Sequence, residues 1–144
     1  PSDVRINGKS NGETGINAGV CGHFGVPVGL VTGCVALCAE VEDALGTALT
    51  VAVKQGVART AAKCFPQAQV RQQLRETAAT AVKRSKSFQP LVFAKPTTVE
   101  LDLMSTEHAD SAARIPGVER LAARTVRLVG EDYLDLYQKL RLCV

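Results

Sequence analysis

The sequence predicts an α/β fold, in which a mixed sheet carries helices on both faces and is followed by a smaller α+β lobe. Runs rich in Val alternate with runs rich in Ala along the 144 residues, as expected where strands alternate with helices. Hydrophobic residues make up 46% of the chain and aromatic residues only 4%, so Val, Ala and Leu must form the core. A glycine-rich stretch over residues 11–33 is typical of a helix that leads into a buried strand.

Residues 1–86 are expected to form the α/β body. The predicted elements are a strand over residues 4–6, a turn at Asn7-Gly8, a helix over 13–24 capped by Asn11, a strand over 26–32 covered on both faces, a helix over 35–45 ended by Gly46, and a strand over 49–53. Residues 54–65 are expected to be irregular, with a short helical turn. A helix then runs from Pro66 to about residue 86, and its predicted buried stripe consists of Val70, Leu74, Ala78, Ala81 and Val82.

Residues 87–144 are expected to form the α+β lobe. After a linker come a one-sided strand over 97–103, a helix over 105–114 capped by Ser105, a turn at Pro116-Gly117, one or two strands within 118–129, and a last helix that begins after Glu131 and Asp132. The predicted division into segments 1–86 and 87–144 has one alternative, a single continuous domain.

The helix over residues 13–24 has two very different sides. At 100° per residue, Glu13, Asn17 and Phe24 share one side. Small residues occupy the other: Gly15, Ala18, Gly19 and Gly22. Glycines destabilise an isolated helix by about 1 kcal/mol each, so we expect this flat side to pack closely against another backbone. The carboxylate of Glu13 lies at the positive end of the helix dipole, where it is suited to bind a cation.

Composition excludes two classes of partner. The net charge of +3 is spread along the chain, and its densest basic group, residues 71–86, has no interleaved aromatic residues to stack on bases. No apolar run reaches the roughly 18 residues of a membrane span. We therefore expect no nucleic-acid partner and no membrane partner. We recognise no secretory signal and expect a cytoplasmic location.

Five cysteines, an odd number, are expected to be reduced thiols. Cys21, Cys34, Cys38 and Cys64 stand in apolar surroundings, which predicts burial.

Several motifs occur at a fairly specific spacing: Ile6-Asn7-Gly8, Gly12-Glu13-x-Gly15-x-Asn17-Ala18, Gly25-Val26-Pro27-Val28, Thr32-Gly33, Val51-Ala-Val-Lys54, Arg59, Ala62-Lys63-Cys64 and Ile115-Pro116-Gly117. Together they resemble the zinc-dependent D-aminopeptidases of bacterial dipeptide-transport operons. The resemblance covers nearly all of this chain but only about the latter half of a family member.

The resemblance implies a metalloenzyme that hydrolyses short peptides or amides with an N-terminal D-residue. In that family, two zinc ions are held by an Asp-x-Glu pair, two histidines and the glutamate of the Gly-Glu motif, which corresponds to Glu13. Asn17 is expected to hold Glu13 or a polar group of the substrate. Lys54 and Arg59 are either ordinary surface charges or residues that orient substrate or form a subunit interface. The catalytic residues are expected outside this chain.

Three interpretations stay open at this point. The first is one chain of a split or processed enzyme, whose N-terminal half is a second polypeptide and which assembles into a homo-oligomeric ring; the flat glycine side favours it. The second is a non-catalytic relative, favoured by Cys34 at a position that is usually acidic in the family. The third is a phosphate- or nucleotide-binding α/β module, in which Gly33 precedes a helix that receives the anion.

Overall fold

The computed structural model describes residues 1–144 and contains five α-helices and eight strands. The elements are β1 (Asp3–Ile6), β2 (Lys9–Ser10), α1 (Glu13–His23), β3 (Leu30–Cys34), α2 (Val35–Leu45), β4 (Leu49–Ala58), β5 (Ala61–Cys64), α3 (Gln67–Lys83), a short 3-10 turn (Ser85–Ser87), β6 (Thr97–Asp102), α4 (Thr106–Ala112), β7 (Val118–Arg120), β8 (Thr125–Gly130) and α5 (Tyr133–Leu142). This content of helices and strands confirms the predicted α/β class.

The chain forms two compact units, each with its own sheet. One unit consists of residues 1–24 and 92–144, and the other consists of residues 25–91. The division into domains at residues 86 and 87 stays a prediction. The boundaries of the two compact units lie elsewhere, because residues near both ends of the chain pair in the same sheet.

The first unit contains a five-stranded antiparallel sheet in the order β2-β1-β6-β8-β7. β1 pairs with β6 so that Val4 lies opposite Leu101 and Ile6 opposite Val99. The predicted turn at Asn7-Gly8 is confirmed: both residues have positive φ, 49° and 82°, as a two-residue hairpin between β1 and β2 requires. The first strand of the chain therefore belongs to the same sheet as the last strands.

The core of the first unit lies on one face of this sheet. The alternation predicted for the strand over 97–103 is confirmed, since Val99, Leu101 and Leu103 are fully buried. α5 begins at the expected place, and Asp132 caps it by accepting hydrogen bonds from the backbone of Leu134 and Asp135. Its apolar stripe completes the core with Tyr133, Leu136 and Leu140.

The other face of the sheet carries a charged cluster around Arg5. The Arg5 guanidinium contacts Asp102 at 2.6 Å, Asp3 at 2.9 Å and Glu100 at 3.2 Å. Thr125 donates a further hydrogen bond of 2.8 Å to Asp102. The hydrogen bonds from Arg5 and Thr125 lower the pKa of Asp102 to about 2. These contacts join β1, β6 and β8 across the sheet.

The second unit is built on a three-stranded mixed sheet in the order β3-β4-β5. β3 runs parallel to β4, and β4 runs antiparallel to β5. The helix predicted over 35–45 is confirmed, and Gly46 ends it with φ 56°. β3 begins at Leu30 rather than at residue 26, and the expectation of full burial was wrong: four of its five residues are half-buried and Thr32 is exposed.

The passage over residues 54–65 is a β-hairpin and not the irregular segment expected from the sequence. β4 continues to Ala58, and β5 returns antiparallel to it. Every residue from 54 to 64 is exposed, so this hairpin lacks the apolar alternation that marks a half-buried strand. Its backbone pairing defines it instead.

The buried stripe predicted for α3 was wrong, because no residue of this helix is fully buried. Val70, Leu74 and Ala81 are half-buried, whereas Ala78 is exposed and Val82 is 74% exposed. One row of side chains meets β3 and β4, and the rest of the helix surface faces away from the unit.

The small-residue side of α1 is buried as predicted, at Gly15, Ala18, Gly19 and Gly22. Side chains cover it rather than the backbone that we expected: a Cβ at Gly19 would meet Phe93 and would lie 2.7 Å from Tyr133. These two rings lie 4.8 Å apart between centroids. The helix begins after Gly12, which occupies the cap position predicted for Asn11, and the Asn11 amide nitrogen donates to the Lys9 carbonyl at 2.7 Å.

Gly19→Leu is predicted to destabilise the first unit. Leucine places several atoms where the Phe93 and Tyr133 rings lie, and overpacking of this kind costs about 1–3 kcal/mol. Gly56→Leu is the matched control, because nothing lies within 4 Å of a Cβ at that exposed position. Thermal unfolding followed by circular dichroism is expected to show a lower Tm for Gly19→Leu alone; equal Tm values for the two variants would contradict the packing described here.

Candidate functional site

α1 holds the two residues that the sequence singled out for metal chemistry. Glu13 is the first residue of the helix and Asn17 lies one turn later, both exposed and both away from the buried glycine side. The backbone N–H groups of the first turn and the helix dipole favour a negative charge where Glu13 stands. The helix therefore presents one carboxylate and one amide together to solvent.

α5 holds α1 by two tyrosine hydroxyls. Tyr133 donates a hydrogen bond of 3.0 Å to the Ile16 carbonyl, and Tyr137 donates one of 3.5 Å to Oδ1 of Asn17. Burial raises the pKa of Tyr133 well above its usual value. Sequence reasoning missed these bonds; the available signal was the spacing of the two tyrosines by one helical turn.

Lys54 and Arg59 lie in the second unit. Lys54 stands in register with Cys34 on β3 and with Cys64 on β5, where the three-stranded part of the sheet ends. Arg59 belongs to the turn that joins β4 to β5, at the tip of the exposed hairpin. Glu13 and Asn17 thus belong to one compact unit, and Lys54 and Arg59 belong to the other.

The cysteines are all free thiols, as expected. Cys38 is buried and Cys21 and Cys34 are half-buried, but the predicted burial of Cys64 was wrong, because it lies on the exposed strand β5. Cys143 is buried beside α5, and this burial raises the pKa of its thiol.

Both histidines have local partners. Nδ1 of His23 lies 3.7 Å from Oδ1 of Asp132, and Nδ1 of His108 lies 2.9 Å from the Ser105 hydroxyl. Neither histidine belongs to a group of three or more His, Cys, Asp or Glu residues arranged to hold a metal ion, since the structure contains no such group. A zinc site uses about four ligands. Residues 1–144 therefore do not form a complete zinc site by themselves.

Gly33 has a packing role at the junction of β3 and α2. The Leu37 side chain occupies the space that a Cβ of Gly33 would need, with Cγ of Leu37 at 3.5 Å. A separate cleft of about 410 Å³ lies between β4 and α3, lined mainly by neutral polar and apolar side chains including Thr50, Phe65 and Gln69. None of the predicted site residues lines it.

None of the five helices combines the length and the apolar character needed to cross a membrane.

Comparison with known proteins matches this sequence to one family. The model of the peptidase M55 family, described as D-aminopeptidase, matches residues 2–142. The chain belongs to this family. It is 32% identical over 134 residues to a D-aminopeptidase of Bacillus subtilis strain 168, an alignment that covers 92% of this chain and 49% of that protein.

A solved structure supports the same assignment. The Zn-dependent D-aminopeptidase DppA from Bacillus subtilis, described as a self-compartmentalizing protease, superposes with a TM-score of 0.91 at 30% identity. The match covers 98% of this chain and 52% of that chain. The chain thus spans about half the length of both relatives, and the family resemblance drawn from its motifs is confirmed.

Proposed function

We propose that residues 1–144 are part of a zinc-dependent aminopeptidase or amidohydrolase that hydrolyses short peptides or amides with an N-terminal D-residue. Membership of the D-aminopeptidase family supports this activity. The observation that carries the proposal is the placement of Glu13, an exposed carboxylate in the first turn of a helix whose other side is buried. In this proposal Glu13 is the metal ligand that these residues contribute.

The site is proposed to hold two zinc ions, most of whose ligands come from residues outside 1–144. A zinc site uses about four ligands, and no group of three or more His, Cys, Asp or Glu residues in this chain is arranged to hold a metal ion, which supports this division. When bound, the zinc ions supply activation of water and polarisation of the scissile carbonyl. The role of this chain is to hold Glu13 and Asn17 at fixed positions on α1.

We propose that a second polypeptide, equivalent to the N-terminal half of the family, carries the remaining ligands and the catalytic residues. The lack of a group of His, Cys, Asp or Glu residues arranged to hold a metal ion supports this proposal. The flat side of α1 no longer supports it, because Phe93 and Tyr133 of this chain cover that side.

A cytoplasmic location and a homo-oligomeric ring complete the proposal. The relative described as self-compartmentalizing supports the ring.

A second candidate function is a non-catalytic scaffold related to these enzymes. The observation that favours it is Cys34, which stands where an acidic residue is expected in the family. Cys34 caps α2 through its backbone and pairs in register with Lys54, so the substitution leaves an exposed lysine without a carboxylate at that pairing position. Zinc binding by the assembled protein distinguishes the two candidates.

The metal-ligand proposal predicts that Glu13→Gln lowers the zinc content of the assembled enzyme. Glutamine keeps the size and a polar side chain but removes the charge, so zinc affinity and activity are expected to fall by at least about tenfold while the Tm is retained. Glu107→Gln is the control, an exposed acidic residue in the first turn of α4. Metal analysis after dialysis measures the effect, and wild-type zinc content in Glu13→Gln would rule out the assignment.

Arg59 at the hairpin tip is proposed either to orient substrate or to form a subunit interface. Arg59→Ala is predicted to raise KM about tenfold at constant particle size in the first case, because a charged hydrogen bond to substrate is lost. In the second case light scattering is predicted to show a smaller assembly. The exposed Arg71 on α3 provides the control, Arg71→Ala. An Arg59→Ala enzyme with unchanged KM and size would identify an ordinary surface charge.

A further inference from the structure

The two tyrosines of this chain lie one turn apart on α5, and both hydroxyls reach α1. They contact different kinds of group. Tyr133 binds a main-chain carbonyl, that of Ile16, and is buried with Phe93 against the glycine side. Tyr137 is half-buried and binds a side chain, the amide oxygen of Asn17. The contact of Tyr137 can therefore affect the orientation of the Asn17 side chain, whereas Tyr133 binds only the main chain of α1.

The bond from Tyr137 gives the oxygen and the nitrogen of the Asn17 amide different surroundings. Its oxygen accepts the Tyr137 hydroxyl at 3.5 Å, so the amide nitrogen is directed away from that hydroxyl. The Asn17 nitrogen makes no hydrogen bond within the chain, and the side chain is exposed. The long contact from Tyr137 favours one orientation of the amide, in which both N–H donors are available to another partner.

These donors lie on the side of α1 that carries Glu13. Residues four apart on a helix are neighbours on its surface, and Asn17 follows Glu13 by four. The Glu13 carboxylate also has no hydrogen-bond or ion-pair partner in the chain. A carboxylate and a pair of amide donors therefore stand together on a helix that α5 holds in place.

We infer that Tyr137 is a positioning residue: its hydroxyl fixes the Asn17 amide so that the amide N–H groups serve Glu13 or an oxygen of the substrate. This inference rests on the proposed function of Glu13. Side chains that orient a metal ligand typically contribute a factor of 10–100 to metal affinity or activity. Without the hydroxyl, the Asn17 amide loses its orienting partner and must be ordered when substrate or metal binds.

The test is a double-mutant cycle in the assembled enzyme with Tyr137→Phe and Asn17→Ala. Tyr137→Phe removes one oxygen atom and keeps the ring, so the packing of α5 is retained. Each single variant is expected to lower either zinc affinity or kcat/KM by about tenfold. If Tyr137 acts through Asn17, the double variant is expected to be no worse than Asn17→Ala alone.

Tyr133→Phe is the matched control, because it removes the other hydroxyl of the same helix. It is expected to lower the Tm through loss of the bond to the Ile16 carbonyl, and its effect is expected to add to that of Asn17→Ala. A general weakening of the contact between α1 and α5 would make the two tyrosine variants behave alike. If Tyr137→Phe is non-additive with Asn17→Ala while Tyr133→Phe is additive with it, Tyr137 positions the Asn17 amide and does more than stabilise the contact between the helices.

Two results would overturn the inference. One is an unchanged zinc affinity and kcat/KM in Tyr137→Phe or in Asn17→Ala; the other is an additive loss in the double variant. Failure of the proposed function has a different signature, which is wild-type zinc content in Glu13→Gln. The cycle and the Glu13 variant therefore report on separate claims.

Discussion

The contact of the small-residue side of α1 with Phe93 and Tyr133 is the constraint on which the candidate site depends. Only glycine at position 19 leaves room for the two rings. Their packing places the opposite side of the helix, with Glu13 and Asn17, towards solvent. Because Tyr133 belongs to α5, the same contact ties the helix to the apolar core of the five-stranded sheet. Position and direction of the Glu13 carboxylate thus follow from packing within the first unit.

In the proposed function, this chain positions one metal ligand, Glu13, and does not bind the metal alone. Residues 1–144 keep one carboxylate in place, and the pairing of β1 with β6, reinforced by the Arg5 cluster, keeps both ends of the chain in one sheet. The chain belongs to the D-aminopeptidase family, and its residues are not arranged as a metal-binding group of three or more His, Cys, Asp or Glu side chains. Lys54 and Arg59 belong to the exposed hairpin of the second unit.

Local patterns in the sequence predicted most elements, because those elements depend on local physics. Alternation predicted β6, the Ser105 cap predicted the start of α4, the acidic pair Glu131-Asp132 predicted the start of α5, and Asn7-Gly8 predicted a turn. The hairpin over 54–64 escaped prediction, because an exposed strand has no apolar period. The burial side of α1 was predicted from glycine spacing, but spacing cannot show that aromatic side chains from a distant helix cover it. The contact of Tyr137 with Asn17 joins residues 120 positions apart, and local patterns in the sequence do not predict a contact between such distant residues.

Hydrogen exchange of the α1 amides tests this account most directly, since it reports whether the chain itself holds the Glu13 helix. Amides buried under Phe93 and Tyr133, at residues 18–22, are predicted to exchange more than about 100-fold slower than in an unstructured peptide, in step with those of β6. The measurement needs no metal and is read residue by residue in the folded chain. Exchange of α1 at the rate of an unstructured peptide, with β6 still protected, would contradict the claim that this packing positions the site.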